Sequence, residues 1–368
     1  MQVTTAIASG PRSATGVRIL QRWRGIEIHY VSPRILIASR GYDFLAKVPD
    51  EQQWRHLTRI PAAASSRVVS YSYGAMRLLR RGVRSFLPIS DDRFVFFCDR
   101  KVYYWEAGLA EPKLIGVVEH GSGPLKQGCC TDSNGTCYYG EYSGSRERTA
   151  VRVLRWSPEY DDWQPYYTFQ AGSIRHIHAL QFDPYTGKLW IATGDRDEEN
   201  LIGYFEPSAN GPELRVIATG GQFARAVSLI FTPDYVYWGT DAGRDTSETR
   251  NSIYRWSRRG AVLAKVADVS GPVFYSAQDE CGRLYLSTVV EGSVSEVDDC
   301  AHLWMCADGE TWHDVARWTR DWYPRFRGMP VFGTANLSFP AGLMPANRLY
   351  VAGHAVEGSP CTWLMEAR

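Results

Sequence analysis

A strand-turn-strand pattern recurs seven times along the 368-residue chain, helical periodicity is almost absent, and turn residues separate the runs. These three observations predict an all-β fold, a seven-bladed β-propeller, with six blades as the alternative count. In each copy the second strand is rich in aromatic residues and ends in a small one. The copies lie at 34–39, 93–98, 136–140, 188–192, 235–239, 283–287 and 348–352. Most are roughly fifty residues apart, as propeller blades are.

Taken in order, each copy adds further strands. Third strands are expected at 102–106, 151–156, 253–256 and 302–305, and a fourth follows a polar turn, as at 261–266. The last copy reaches only its third strand, at 361–365. A ring left there would expose a strand edge, and exposed edges invite aggregation. The segment 16–23 precedes the first copy and is expected to supply the missing strand. The chain is therefore read as one domain, 1–368, with an N-terminal clasp at 1–23. Blades are expected near 24–60, 82–118, 122–169, 172–219, 220–269, 270–319 and 330–368. Longer connections fall at 48–84 and 320–330.

Composition fits this architecture and excludes several function classes. Charge is balanced at 41 basic against 40 acidic residues, so no overall field points to nucleic acid or a membrane surface. No stretch approaches the roughly 18 apolar residues of a membrane span. The 13 Trp, 21 Tyr and 14 Phe suit sheet cores and also sugar-binding surfaces. The eight cysteines form no C-x-x-C pair, so a structural zinc is not expected. No basic region followed by an apolar run opens the chain. The expectation is a reduced, cytoplasmic protein, or a secreted one if a leader preceded this sequence.

The line Ser173-Ile174-Arg175-His176-Ile177-His178 carries the most chemistry. On a strand, His176 and His178 share a face because side chains alternate. The strand runs to an Asp183-Pro184-Tyr185-Thr186-Gly187 turn, built of residues that turns favour. In a propeller the inner strands start, and the second strands end, on one face. Lys126, Gln127, Arg175, His176, His178, Arg225, Tyr275 and Asn336 open inner strands, so they are expected at one channel mouth. The second-to-third-strand loops bring Glu141, Asp195, Asp241, Glu291 and His354 to the same place. Arg225 within an otherwise apolar strand calls for a carboxylate partner or a bound anion.

The segment Asp308-Gly309-Glu310-Thr311-Trp312 resembles a shortened Asp-box, the structural turn of sialidase-type (BNR-repeat) propellers. The 175–178 line, Asp183-Pro184 and the run from Trp190 to Asp195 resemble sialidase-like propellers associated with bacterial glycans. The resemblance spans roughly residues 120–365. It implies a propeller carbohydrate-active protein acting on an acidic sugar. The chain departs from true sialidases, which carry an F/Y-R-I-P motif and an arginine triad; here Arg59-Ile60-Pro61 follows Thr58.

Three classes of function follow. The first is an enzyme that cleaves an acidic poly- or oligosaccharide, uronate- or sialate-like. Hydrolysis would draw its two carboxylates from Asp195, Glu141, Asp241 and Glu291. β-Elimination would use His176 or His178 as base, Tyr275 as acid, and Arg175 or Arg225 to neutralise the substrate carboxylate. Lys126, Asp241 and Glu291 complete the expected substrate-binding set. The second class is metal-assisted chemistry. No cofactor is expected, but a divalent ion could sit on His176, His178 and a carboxylate, with His354 or His120 completing its shell. The third class is a non-catalytic propeller that binds a glycan or a protein.

Overall fold

Seven four-stranded antiparallel sheets, one per sequence copy, close into a ring. The computed structural model describes residues 11, 13–121, 123–144, 148–160, 162–322, 325–326, 329–330 and 333–368. The first six blades run from inner to outer strand over 27–59, 83–117, 129–169, 177–219, 230–269 and 273–319. The seventh takes its inner three strands from Asn336–Ser338, Arg348–His354 and Cys361–Ala367. Its outer strand is Val17–Arg24, paired antiparallel with Cys361–Ala367. The clasp inferred from the missing fourth strand is therefore present. Ser13–Ala14 also pairs with the outer strand of blade six, so the N-terminal segment ties two blades together.

The small residue that ends a second strand has a packing reason. A Cβ on Gly140 would lie 2.4 Å from Ile177 of the next inner strand, and one on Gly239 would lie 2.5 Å from Val273. Adjacent blades approach too closely there for any side chain. The aromatic second strands fill the spaces between sheets: Trp190, Trp238 and Tyr285 are fully buried, as are Trp318 and Trp363 around the last two blades. Each such burial stabilises by roughly 1.5–3 kcal/mol.

On the face away from the inner-strand starts, three hairpins are held by an aspartate. Asp132 Oδ1 accepts from the amides of Asn134 and Thr136, both at 2.9 Å. Asp279 does the same for Cys281 and Arg283, and Asp183 accepts from Tyr185 at 3.0 Å. Asp308 caps its turn in like manner, accepting from Glu310 and Thr311 at 2.8 and 2.7 Å. A carboxylate that takes backbone amides fixes a tight turn.

Two short helices lie outside the sequence expectation. The connection 48–84 contains the outer strand of blade one, Arg55–Arg59, and two six-residue helices, Ala64–Val69 and Tyr73–Leu78. Helices this short show too few turns for a 3.6-residue period to register. They cross to the seventh blade, where Arg77 forms a buried ion pair with Asp321 and the amide of Ala355 donates to Tyr73 Oη at 3.2 Å. All eight cysteines are free thiols. Among the described residues, no helix is long and apolar enough to cross a membrane.

Candidate functional site

Inner strands at the ring centre enclose a cavity of about 440 Å³, lined by residues of all seven blades. Two amides cross it. Gln127 donates to the carbonyl of Ser276 at 2.8 Å and accepts from its amide at 3.0 Å. Gln181 makes the same pair of bonds to Leu229, at 3.0 and 2.7 Å. These side chains satisfy strand edges that would otherwise face the cavity unpaired.

The mouth at the inner-strand starts holds the chemistry. His176 and His178 project together, as alternation requires, with their Nε2 atoms 2.9 Å apart. Asp195, at the end of the second strand, lies 3.3 Å from His176 Nε2 and 3.2 Å from His178 Nε2, both measured to Oδ1. The three residues are buried. His176 Nδ1 lies 2.8 Å from the carbonyl oxygen of Ser143. A carbonyl can only accept, so Nδ1 carries the proton and the Nε2 lone pair faces the cluster. His178 Nδ1 has no partner among the described residues. Burial holds His178 down, at about 4. The Tyr142 ring covers His176 at 4.2 Å between centroids.

Arginines surround Asp195. Arg175 Nη1 reaches Oδ2 at 2.7 Å, and Arg225 Nη2 reaches Oδ1 at 3.2 Å. Arg225 also pairs with Asp241 at 3.3 Å and Asp245 at 2.8 Å. Burial pushes the Asp195 carboxyl up, but hydrogen bonding and charge from the two imidazoles in their protonated form outweigh it and hold it well below the carboxylate range. Asp241 moves the other way: burial and the neighbouring carboxylates Glu291, Asp195 and Asp245 raise it against the pull of Arg225. Its Oδ1 is buried without a hydrogen bond among the described residues. Burial also raises Glu291, whose carboxylate accepts from the Arg244 amide at 3.1 Å.

The expected convergence therefore divides. Arg175, His176, His178, Asp195, Arg225 and Asp241 form one connected cluster. Glu141 stands apart from that ion-pair network: Arg152 occupies both of its oxygens, at 2.8 and 2.6 Å. Lys126 is paired with Glu27 of blade one. Burial pushes Glu27 up, yet Lys126 and nearby imidazoles hold it at about 2. His354 does not join His176 and His178. It lies on blade seven against Tyr73 of the helical insert, 6.2 Å between ring centroids. His120 falls in a separate group with Glu119 and Glu141, two of its three members exposed.

Tyr275 is buried, and its hydroxyl makes no hydrogen bond among the described residues. Burial raises it to about 12, so the phenol keeps its proton.

The residue that sequence reasoning missed is Arg84. It lies in the inner strand of blade two at the bulge position that His178 holds on blade four, and that register was the available signal. Arg84 lines the cavity and donates from Nε to the Pro124 carbonyl at 3.1 Å. It has no carboxylate partner among the described residues. Burial lowers its pKa, and the phenols of Tyr275 and Tyr142 act on its charge. Tyr142 in turn feels Asp195 and Asp241, which places Arg84 in electrostatic reach of the cluster.

Four-stranded blades, seven to a ring, define a seven-bladed β-propeller. No family model matches the sequence, and no curated protein matches it. Solved structures agree on the fold. An oligogalacturonate lyase in complex with manganese superposes with a TM-score of 0.59 at 12% identity, over 96% of this chain and 98% of that one. A second oligogalacturonate lyase, from Vibrio parahaemolyticus, gives 0.55 at 10% identity with the same coverage. The WD40 propeller domain of Doa1 gives 0.56 at 10% identity, again over 96% and 98% of the two chains. At such identity these likenesses speak to the fold alone, which enzymes and non-enzymes share.

Proposed function

We propose that this propeller binds an acidic oligo- or polysaccharide at the mouth and cleaves the glycosidic bond beside a uronate-type residue by β-elimination. The observation that carries the reading is Arg84. A largely buried guanidinium with no carboxylate of its own among the described residues, near two phenols and a cluster of basic atoms, is a receptor for a substrate carboxylate. Neutralising that carboxylate acidifies the C5 proton. The atoms of the His176, His178 and Asp195 cluster form the basic pole that takes this proton. The electron pair forms the C4–C5 double bond, the C4–O bond breaks, and the Tyr275 phenol, which keeps its proton, protonates the leaving oxygen.

Hydrolysis draws less support. It needs two carboxylates able to work on either side of a sugar. Asp195 and Asp241 are engaged by Arg225, and Glu141 by Arg152. Two solved oligogalacturonate lyases share the ring, which agrees with an acidic substrate.

The test is a panel of uronate, sialate and neutral oligosaccharides, read for near-ultraviolet absorbance and for new reducing ends. β-Elimination yields both signals, and hydrolysis yields reducing ends only. In Arg84→Gln, loss of a charge-assisted contact of about 1.5–3 kcal/mol should raise KM roughly tenfold to a hundredfold. Binding without either signal would leave a glycan-binding propeller and sink the enzymatic reading.

A further inference from the structure

We infer that His176 Nε2, His178 Nε2 and Asp195 Oδ1 form one face of a divalent transition-metal site. The inference rests on cluster geometry and is independent of the substrate reading.

The three atoms make a nearly equilateral triangle with sides of 2.9, 3.2 and 3.3 Å. Ligands bound at about 2.1 Å in adjacent positions of a tetrahedral or octahedral shell are separated by roughly 3.0–3.4 Å. The triangle thus matches a single ion standing just off its plane and touching all three. Two imidazoles and one carboxylate on a common face, with the remaining positions open, suit a first-row ion such as manganese, iron or zinc better than calcium or magnesium.

The surroundings supply a second, independent argument. The Ser143 carbonyl fixes the His176 proton on Nδ1 and aims the Nε2 lone pair inward, the outer-shell arrangement that orients ligating histidines. Without a cation, that lone pair faces an oxygen of a carboxylate 3.3 Å away, and one proton on His178 cannot satisfy both.

Arg225 does not block the site, because Oδ1 has two lone pairs: one accepts Nη2 and the other points to the histidines. Arg175 binds the other oxygen. When bound, such an ion supplies Lewis acidity and a water of lowered pKa, and that water would then be the basic group of the cluster in place of the lone pairs that the ion occupies.

The test uses the whole chain, stripped with a chelator and titrated with Mn²⁺ and Co²⁺ by calorimetry, with no saccharide present. One equivalent should bind. Asp195→Asn and His178→Gln should weaken binding by about a hundredfold or more, a loss at least as large as outer-shell changes cause. His120→Ala, in the separate exposed group, should leave binding unchanged. Absence of stoichiometric uptake, or equal uptake by the two site variants, overturns the proposal. If those variants do not fold, the Co²⁺-loaded native chain decides: nitrogen couplings from two imidazoles in pulsed electron resonance are expected, and their absence overturns the site. Because binding and turnover are read separately, a failure here leaves the saccharide reading standing, and the converse holds too.

Discussion

Replacing Arg225 by Met tests whether the site is held together by one buried cation. Arg225 is 5% exposed and pairs with Asp195, Asp241 and Asp245 on two different loops. Methionine keeps much of the volume and removes the charge. Asp241 then sits buried with one oxygen already unpartnered and its counter-charge gone. Breaking a buried pair by removing one partner costs about 3–5 kcal/mol. At about 2.1 cal/mol/K per residue, 368 residues give an unfolding entropy near 0.8 kcal/mol/K, so Tm should fall by about 4–6 °C. Much of that cost is the stranded carboxylate rather than the lost bonds, and Arg225→Met/Asp241→Asn separates the two. If the stranded charge dominates, the double variant recovers at least about 1.5 kcal/mol over additivity, the size of coupling seen within ion networks. The assay is calorimetric unfolding of the four members of the cycle. Additive losses, or a single variant with unchanged Tm, would refute the reasoning.

Three further outcomes are expected. His302 is buried between Asp314 (2.8 Å) and Asp298 (2.9 Å), with Arg317 facing both carboxylates. Burial lowers its pKa, but the two aspartates outweigh this and raise it above 6.5. A raised folded pKa stabilises fully below the unfolded value and fades as pH climbs through the folded one. The Tm advantage of the native chain over His302→Gln should therefore shrink from pH 6 to 8.5; a constant gap contradicts it. Gly140→Ala places a Cβ 2.4 Å from Ile177 and should cost about 1–3 kcal/mol, whereas Gly144→Ala, with nothing within 4 Å, should be neutral. Equal melting of the two variants counts against close blade contact. Removing residues 1–24 strips the outer strand of blade seven and its buried Trp23, which stacks on Tyr350. The truncated chain should melt lower and self-associate through the open edge, as size-exclusion chromatography would read; a monomer of native Tm would show the clasp to be dispensable.

Much of the ring was legible in the chain because blade formation is local. Each sheet is a meander of neighbouring segments, so alternation, turn residues and a repeat near fifty residues mark it directly. The missing fourth strand at the C-terminus even pointed to its distant partner, since closure leaves one unmatched edge at each end. The helices at Ala64–Val69 and Tyr73–Leu78 were not legible, being shorter than their own periodicity requires.

The site was legible only as a list. Repeat position placed His176, His178, Asp195, Arg225 and Asp241 at one mouth, because inner-strand starts and second-strand ends must share a face. Which cation serves which carboxylate depends on distances set by blade twist and loop path, and no period encodes those. Arg152 took Glu141, Lys126 took Glu27, and Arg84, which looked like any other strand residue, was left without a carboxylate among the described residues. The chain by itself determined the fold, the closure and part of the set of residues at the mouth. Tertiary structure decided their pairing, because Coulomb and hydrogen-bond energies change steeply over a few ångströms while sequence spacing resolves only the face.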